Sequence, residues 1–203
     1  MVRDRVMLVL KIKWLSCLFV ALTLSACTSV PVGPEANYSK LVRENLYKLE
    51  RWSFEGRLAL TGKNDNWQAN INWGHRSGDE EIKLSGPLGQ GATVIKLTDD
   101  LVTIDRGDGK AQSSAQPEAF INQQLGMFVP VNSLRYWVIG LPEPNSAFVE
   151  TTTGFRQAGW LIEYKQMQAV DSQSMPHKIT VTNEQVKLKL VIDQWVLNVA
   201  KAI

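Results

Sequence analysis

Apolar and polar residues alternate along most of the chain from Trp52 onward, which is the pattern of β-strands with one buried face. Turn-forming clusters such as Gly107-Asp108-Gly109 separate consecutive segments. The alternating segments cover 52–60, 67–73, 80–85, 92–98 and 101–105, and then 147–152, 159–166, 178–183 and 186–192. The pattern therefore predicts an antiparallel meander of about nine to eleven strands.

Three segments have helical rather than strand spacing. The first covers about 36–49, where Leu41, Val42, Leu46 and Leu49 recur at near-helical intervals. The others cover 117–125 and 132–139, each followed by a glycine that ends a helix, and Asn132 or Ser133 is a candidate cap for the last one. Because a single antiparallel sheet of this size curls or closes, we expect the helices to lie inside or across its open side.

One face of nearly every predicted strand carries large apolar side chains. They are Trp52, Phe54, Trp67, Trp73, Trp160, Ile162, Tyr164, Ile179, Val181, Leu188, Leu190 and Trp195. A packed core explains this pattern and is the interpretation that periodicity alone favours. A curved sheet whose concave side is only partly filled would instead leave an apolar cavity for lipid chains. The pattern leaves both interpretations open.

The N-terminus has the three parts of a secretory signal. Four basic residues precede an apolar stretch over 14–22, and Leu24-Ser25-Ala26-Cys27 supplies a cleavage site with small residues. Such a stretch is shorter than the roughly 20 helical residues that span a bilayer core. We therefore predict a signal peptide over 1–26; an ordinary buried cysteine at position 27 is the less favoured alternative.

Leu24-Ser25-Ala26-Cys27 also resembles the lipobox of bacterial lipoproteins, which implies that Cys27 carries acyl chains. Two or more chains hold a protein durably on a bilayer. The small, proline-bearing segment 27–35 is then a lipidated tether, and residues 36–203 form a single domain. In lipoproteins an aspartate after the modified cysteine commonly marks retention in the inner membrane, so Thr28 implies the outer membrane.

Charge and motif content narrow the function. The chain has 22 Lys and Arg against 20 Asp and Glu, and residues 1–26 hold four of the former and one of the latter, so the remainder has a formal charge of −1. This balance argues against nucleic acid as a partner. No Gly-x-Ser-x-Gly, His-Glu-x-x-His or phosphate-binding glycine motif is present, and His75 and His177 are expected in loops. We therefore expect no catalytic residue, metal or cofactor: the protein is not an enzyme.

Four internal segments, together with the lipobox, closely resemble the outer-membrane lipoprotein receptor family LolB. These segments are 52–60, 84–92, 126–142 and 186–195. The most specific part is Asn132-Ser133-Leu134-Arg135-x-Trp137-x-x-Gly140-Leu141-Pro142. The resemblance extends over most of the chain after the signal peptide.

The resemblance implies an incomplete antiparallel β-barrel with helices covering or plugging its open, concave side. It also implies an apolar cavity that accepts the acyl chains of lipoproteins from a periplasmic carrier of the LolA type, and their insertion into the outer membrane. The protein would be a lipid-anchored, periplasm-facing chaperone of lipoprotein localisation, and we expect a monomer. The candidate cavity-lining residues are Trp52, Phe54, Trp67, Trp73, Leu134, Trp137, Val138, Trp160, Ile162 and Trp195.

Leu88 lies in Gly86-Pro87-Leu88-Gly89, where glycine and proline predict a tight, protruding loop. The family places an exposed apolar residue in the matching loop, which implies a role for Leu88 in membrane insertion. A leucine folded back over the sheet edge is the alternative. Arg135 is expected to bind a carboxylate or helix-end carbonyl groups. For the protein as a whole, the competing hypothesis is a non-catalytic envelope assembly or structural lipoprotein that binds a protein partner.

Overall fold

The computed structural model describes residues 38–63 and 66–197. The predicted signal peptide (1–26), the tether (27–35) and the lipidation site Cys27 lie outside these residues. The strands are β1 (Arg51–Thr61), β2 (Asn66–Arg76), β3 (Asp79–Ser85), β4 (Thr93–Leu97), β5 (Val102–Asp105), β6 (Gln112–Ser114), β7 (Phe148–Thr151), β8 (Gly154–Gln157), β9 (Trp160–Val170), β10 (Gln173–Thr182) and β11 (Lys187–Leu197). The helices are α1 (Lys40–Arg43), which a 3₁₀-helix over Glu44–Lys48 continues, α2 (Pro117–Leu125) and α3 (Val131–Trp137).

All eleven strands form one antiparallel sheet in the order β6-β5-β4-β3-β2-β1-β11-β10-β9-β8-β7. Among the described residues the sheet is not closed, because β6 and β7 are its two edges. The connection between these edge strands contains α2 and α3. The first and last strands pair with each other in the middle, from Trp52 opposite Leu197 to Thr61 opposite Lys187. The prediction of a mainly β protein is confirmed, and the eleven strands of the described residues are at the upper end of the predicted range of about nine to eleven.

A β-bulge keeps the aromatic residues of the central strands on one face. Leu190 and Ile192 of β11 are buried, and the next buried residue is Trp195, so the alternation shifts by one position. The register of β1 against β11 shifts between Glu55 and Gly56 at the same place. A bulge bends and twists its strand as well as changing its phase. Trp195 therefore shares a face with the buried side chains of β1.

The helices contribute to the same core as the sheet. Leu134, Trp137 and Val138 belong to a single cluster of buried apolar residues together with residues of the strands. Trp137, Phe54 and Phe155 are among the largest side chains that are fully buried. Among the described residues, none of the helices is long and apolar enough to cross a bilayer.

The helix predicted over about 36–49 is confirmed as a helical segment over 40–48, but its buried face differs from the predicted one. Within the described part of this range, 38–49, Lys40–Arg43 is α-helical and Glu44–Lys48 is 3₁₀-helical. Leu41 and Val42 are exposed, whereas Leu46 and the charged Arg43 are buried. The physical reason is the long-range pairing of the Arg43 guanidinium, which turns this side of the helix inward, as described below.

The two histidines were also expected in loops, and both lie in strands instead. The alternation of β2 continues past Trp73 to Arg76, so it includes His75. His177 lies in β10 at a register irregularity, and its Nδ1 is 2.7 Å from the carbonyl oxygen of Ile192. Neither histidine is the solvated loop residue that the turn-rich context indicated.

Candidate functional site

The aromatic face of the central strands forms a layer of contacting rings. The Trp52 ring lies 6.1 Å from that of Phe54 and 5.8 Å from that of Trp73, and the Phe54 and Trp195 rings are 5.0 Å apart. Of the ten candidate cavity-lining residues, Trp67 is half-buried, and the nine that are buried are Trp52, Phe54, Trp73, Leu134, Trp137, Val138, Trp160, Ile162 and Trp195. The structure thus brings the candidates into one apolar cluster, in which their side chains pack against each other.

Helix α3 packs on this apolar cluster, and polar side chains from three other segments hold its C-terminal end. Arg43 donates from Nε to the carbonyl oxygen of Gly140 at 3.0 Å and from Nη2 to that of Ile139 at 2.9 Å. The Tyr38 hydroxyl donates to the Gly140 carbonyl oxygen at 3.1 Å, and the Tyr164 hydroxyl donates to that of Trp137 at 2.8 Å. The side-chain donors satisfy the carbonyl groups of Ile139 and Gly140 just past the helix end, whereas the carbonyl oxygen of Trp137 also accepts from the Gly140 N–H at 3.1 Å. The arginine also interacts favourably with the helix dipole.

Gly140 is required at this helix end for two reasons. Its φ of +90° lies in the left-handed region that favours glycine. A Cβ atom at this position would also lie 2.3 Å from Nη2 of Arg43. The left-handed exit expected from the sequence is therefore confirmed, and it makes room for the guanidinium as well.

The tyrosines around this helix end are un-ionised donors at neutral pH. Desolvation by burial raises the pKa of Tyr164 and that of Tyr38 well above the ordinary tyrosine value. Burial also raises the pKa of Tyr47 to about 12, and its hydroxyl donates to the carbonyl oxygen of Pro142 at 2.6 Å. A neutral phenol can donate a hydrogen bond to a carbonyl oxygen, whereas a phenolate cannot.

The side chain of Gln157 connects α3 to the β7–β8 side of the sheet. Its Oε1 accepts from Nε1 of Trp137 and from the backbone N–H of Glu143, both at 2.8 Å. Its Nε2 donates to the carbonyl oxygens of Glu143 and Ser146 at 3.0 and 3.1 Å. This buried amide has all its main hydrogen-bonding groups paired, which is the condition for burying a polar side chain at low cost.

A charged cluster connects α3 to the opposite half of the sheet. The buried carboxylate of Glu80 accepts from Nε1 of Trp73 and contacts Nδ1 of His75, each at 2.7 Å. Nε of Arg135 lies 3.7 Å from Glu80, and its Nη1 lies 3.6 Å from Asp99. The expected partner of Arg135 is thus confirmed as a carboxylate. Its Nε makes no hydrogen bond, so this ion pair is loose.

The N-terminal end of α3 is held differently. No side chain caps it, so the expected cap by Asn132 or Ser133 is wrong. The helix begins one residue earlier, and the Ser133 hydroxyl donates to Glu143 instead. Just before the helix, the half-exposed ring of Phe128 packs 6.4 Å from that of Trp160.

The protruding loop around Leu88 has the predicted conformation. The N–H of Gly86 donates to the carbonyl oxygen of Gln90, and the N–H of Gly89 donates to that of Gly86, both at 2.8 Å. Gly89 and Gly91 have φ of +80° and +64°, which favours glycine at both positions. Leu88 is 84% exposed, so the alternative in which it folds back over the sheet edge is wrong.

Sequence reasoning missed Glu80, Gln157, Arg43 and Tyr38. Glu80 occupies the same phase of β3 as Ile82 and Leu84, and an isolated carboxylate at an inward position was a usable signal. Gln157 likewise shares the phase of Phe155. No local sequence pattern indicated that Arg43 would be buried or would bind the end of α3. Among the described residues, no group of three or more His, Cys, Asp or Glu side chains could hold a metal ion.

These residues define a mainly β protein with one unclosed antiparallel sheet whose aromatic face carries helix α3. The family model described as "LolB: Outer membrane lipoprotein LolB" matches residues 50–195. The chain belongs to this family.

Curated relatives agree with this membership. A protein named outer-membrane lipoprotein LolB from Chromohalobacter salexigens is 34% identical over 194 residues, which cover 91% of this chain and 90% of the relative. A relative of the same name from a Marinomonas species is 33% identical, with 88% and 94% of the two chains covered. The solved structure of a DUF1329 family protein from Desulfovibrio piger is 7% identical, covers 80% of this chain and 92% of that chain, and has a TM-score of 0.47. The family match and the two curated relatives, and not this structural likeness, identify the chain as an outer-membrane lipoprotein.

Proposed function

We propose that this protein accepts the acyl chains of lipoproteins from a LolA-type periplasmic carrier between α3 and the aromatic face of the sheet, and inserts them into the outer membrane. Family membership supports the general role in lipoprotein localisation. The observation that carries the finer proposal is the position of α3. This short helix belongs to the same buried apolar cluster as the aromatic layer and is joined to both halves of the sheet by side chains rather than by strand pairing.

The acyl chain would replace α3 as the cover of the aromatic layer. Leu134 and Trp137 now supply apolar surface that a chain could supply in their place. Each CH₂ group that leaves water is worth about 0.8 kcal/mol, so a chain of ordinary length offsets the exposure of a few side chains. The incomplete barrel and the apolar cavity that the sequence led us to expect would then correspond to this opened state, in which α3 is displaced.

The contacts of α3 suggest which of its ends moves. Its C-terminal end is held by Arg43, Tyr38 and Tyr164, whereas its N-terminal end follows Phe128 and has no side-chain cap. If the helix lifts from its N-terminal end, Glu80 loses only the loose contact with Arg135 and keeps its contacts with two groups of the sheet. Opening therefore leaves the buried Glu80 side chain with both of its hydrogen-bond contacts to the sheet, so its oxygens are not left without partners.

Transfer without nucleotide chemistry requires that each successive apolar site shelters the chain at least as well as the one before. The bilayer is the final site. Leu88 is proposed to assist this last step because an exposed leucine on a tight, uncharged loop loses water when it enters lipid.

The decisive experiment follows acyl cargo from a loaded carrier to the purified protein and then to vesicles. We expect Leu88→Glu to fold normally and to accept cargo, but to slow its incorporation into the vesicles. Val149→Glu is the matched control, since Val149 is 67% exposed on edge strand β7. Equal incorporation by Leu88→Glu and the parent would contradict the role of Leu88. A protein that accepts no cargo but binds another envelope protein would favour the assembly-lipoprotein hypothesis.

A further inference from the structure

We infer that Phe128 and Leu88 form one lipid-contacting surface, so that the protein meets the bilayer with the end of the sheet at which β1 ends. This inference rests on the proposed function and deepens it. It adds a second contact residue, on a different loop, and assigns an orientation to the protein on the membrane.

The strand registers place the Leu88 loop at this end. β3 runs toward Ser85, which pairs with Asn70, and Asn70 pairs with Arg57 of β1. The loop that follows Ser85 therefore extends in the direction in which β1 runs. We call this the β1-exit end of the sheet.

The registers place Phe128 at the same end. Its ring packs on Trp160, the first residue of β9. The next residue of β9 pairs with Thr182, which pairs with Lys187, and Lys187 pairs with Thr61 at the end of β1. Phe128 thus lies at the β1-exit end, with β3 and β9 five strand positions apart in the sheet.

Both loops combine an exposed apolar side chain with an absence of charge. Leu88 is 84% exposed and Phe128 is 50% exposed. Neither 85–93 nor 125–134 contains an Asp, Glu, Lys or Arg residue. Entry of a charged side chain into the lipid interface is costly, so uncharged loops with apolar tips are the ones that a bilayer accepts.

The opposite end of the sheet differs in charge. Its hairpin turns over 77–78, 98–101, 152–153 and 171–172 contain Asp99, Asp100 and Asp171 and no Lys or Arg. The segments that join strands at the β1-exit end, 62–65, 106–111, 158–159 and 183–186, have no net charge, because they hold three basic residues, Lys63, Arg106 and Lys110, and three acidic ones, Asp65, Asp108 and Glu184. An anionic leaflet repels carboxylates. Charge therefore favours the β1-exit end as the end that faces lipid. This end also holds the uncapped N-terminus of α3, so cargo released there would meet the bilayer directly.

The first test locates the surface in the full-length, lipidated protein on vesicles of phosphatidylethanolamine and phosphatidylglycerol. Phe128→Cys, Leu88→Cys and Val42→Cys would each carry an environment-sensitive fluorophore. The chain has two cysteines, Cys17 in the predicted signal and Cys27 at the predicted acylation site, so neither is expected to compete for the label. Val42 is the matched control because it is 80% exposed on α1.

We expect spin-labelled lipids to quench the probes at positions 128 and 88 but not the probe at position 42. Equal quenching at 128 and 42 would overturn the inference. A probe at 128 that is shielded only when the carrier is added would also overturn it, and would assign Phe128 to carrier docking.

The second test is functional. Phe128→Glu should slow the transfer of already accepted cargo into vesicles about 10-fold, measured after the variant and the parent have been loaded to the same level. Phe128→Leu should restore the rate, and Val42→Glu should leave it unchanged; near-ultraviolet circular dichroism checks the fold of each variant. Unchanged incorporation by Phe128→Glu would contradict the inference. If the parent protein itself accepts no cargo, the proposed function fails, whereas quenching at position 128 still decides the lipid-contacting surface.

Discussion

At its C-terminal end, α3 is tied by four side-chain hydrogen bonds from Arg43, Tyr38 and Tyr164. At its N-terminal end there are two such bonds, from Ser133 to Glu143 and from the Val129 N–H to Asn122, and the preceding loop packs through the half-exposed ring of Phe128. Directional hydrogen bonds to buried carbonyl groups are costly to break because the carbonyl groups are left unpaired. Apolar contacts can be exchanged for other apolar contacts, including those of a lipid chain. The difference indicates a helix with one fixed end and one exchangeable end.

The largest expected effect is that of Gly140→Ala, which attacks the fixed end directly. A left-handed conformation is unfavourable for alanine, and the added Cβ would displace the guanidinium of Arg43. We expect the free energy of unfolding to fall by about 3–4 kcal/mol. Urea unfolding measures it.

Gly159→Ala is the matched control for this substitution. Gly159 has a φ of +81°, and no atom lies within 4 Å of its would-be Cβ. Only the backbone cost of about 1–2 kcal/mol should therefore appear. Equal losses in the two variants would mean that the contact between Arg43 and Gly140 contributes little.

Arg43→Met should have the next largest effect. It keeps most of the apolar stem but removes the donors to the Ile139 and Gly140 carbonyl oxygens, and we expect a loss of about 2–3 kcal/mol. Arg57→Met is the matched control, because it removes only an exposed ion pair with Asp193. Urea unfolding should show no change in its free energy of unfolding. A neutral effect of Arg43→Met would show that water or another donor replaces the guanidinium.

Tyr164→Phe gives a smaller effect that depends on pH. At neutral pH we expect a loss of about 1 kcal/mol, because the Trp137 carbonyl oxygen loses one donor. Burial raises the pKa of Tyr164 above 10.0, so the folded state favours the neutral hydroxyl. Its contribution is therefore complete below about pH 10 and is lost as the pH rises toward the folded pKa.

Unfolding in urea at about pH 9 and about pH 11 tests whether the contribution of the Tyr164 hydroxyl to stability falls as the pH rises. The parent protein should lose more stability over this interval than Tyr164→Phe does. If both lose the same amount, the alkaline sensitivity comes from other groups, of which Tyr38 and Tyr47 are the first to examine.

The smallest effect is expected at the exchangeable end. Asn122 accepts from the backbone N–H of Val129 at 2.7 Å, and Asn122→Ala removes this contact. We expect a global loss of at most about 1 kcal/mol. Hydrogen exchange should become faster over 127–134 and stay unchanged over 137–141. Acceleration at both ends would mean that α3 opens as one unit, which would contradict the distinction between its ends.

Alternation was sufficient to predict the long strands, because residues such as Phe54 and Ile162 must face the core at a period of two. It missed β6, which is Gln112–Ser114, because an all-polar strand held by backbone pairing leaves no hydrophobic signal. It also missed β8, whose four residues include the polar, inward-facing Gln157. Short edge strands depend on their neighbours more than on their own sequence.

The candidate site likewise has parts that could be predicted from the sequence and parts that could not. The aromatic layer and the Leu88 loop could be predicted because their signals are local: period, glycine and proline. The ties of α3 could not, since Arg43 and Gly140 are 97 residues apart and the orientation of α1 depends on their contact. For this reason the leucine spacing of the first helix predicted the wrong buried face.

The pairing of β1 with β11 in the centre of the sheet has a consequence for folding during synthesis. Trp52 pairs with Leu197, so the middle of the sheet cannot form until nearly the whole chain has been made. Until then β1 has one open edge and exposes its aromatic side chains, a state prone to aggregation. Such distant pairing also slows folding. A nascent chain of this kind therefore needs protection until its last strand is available.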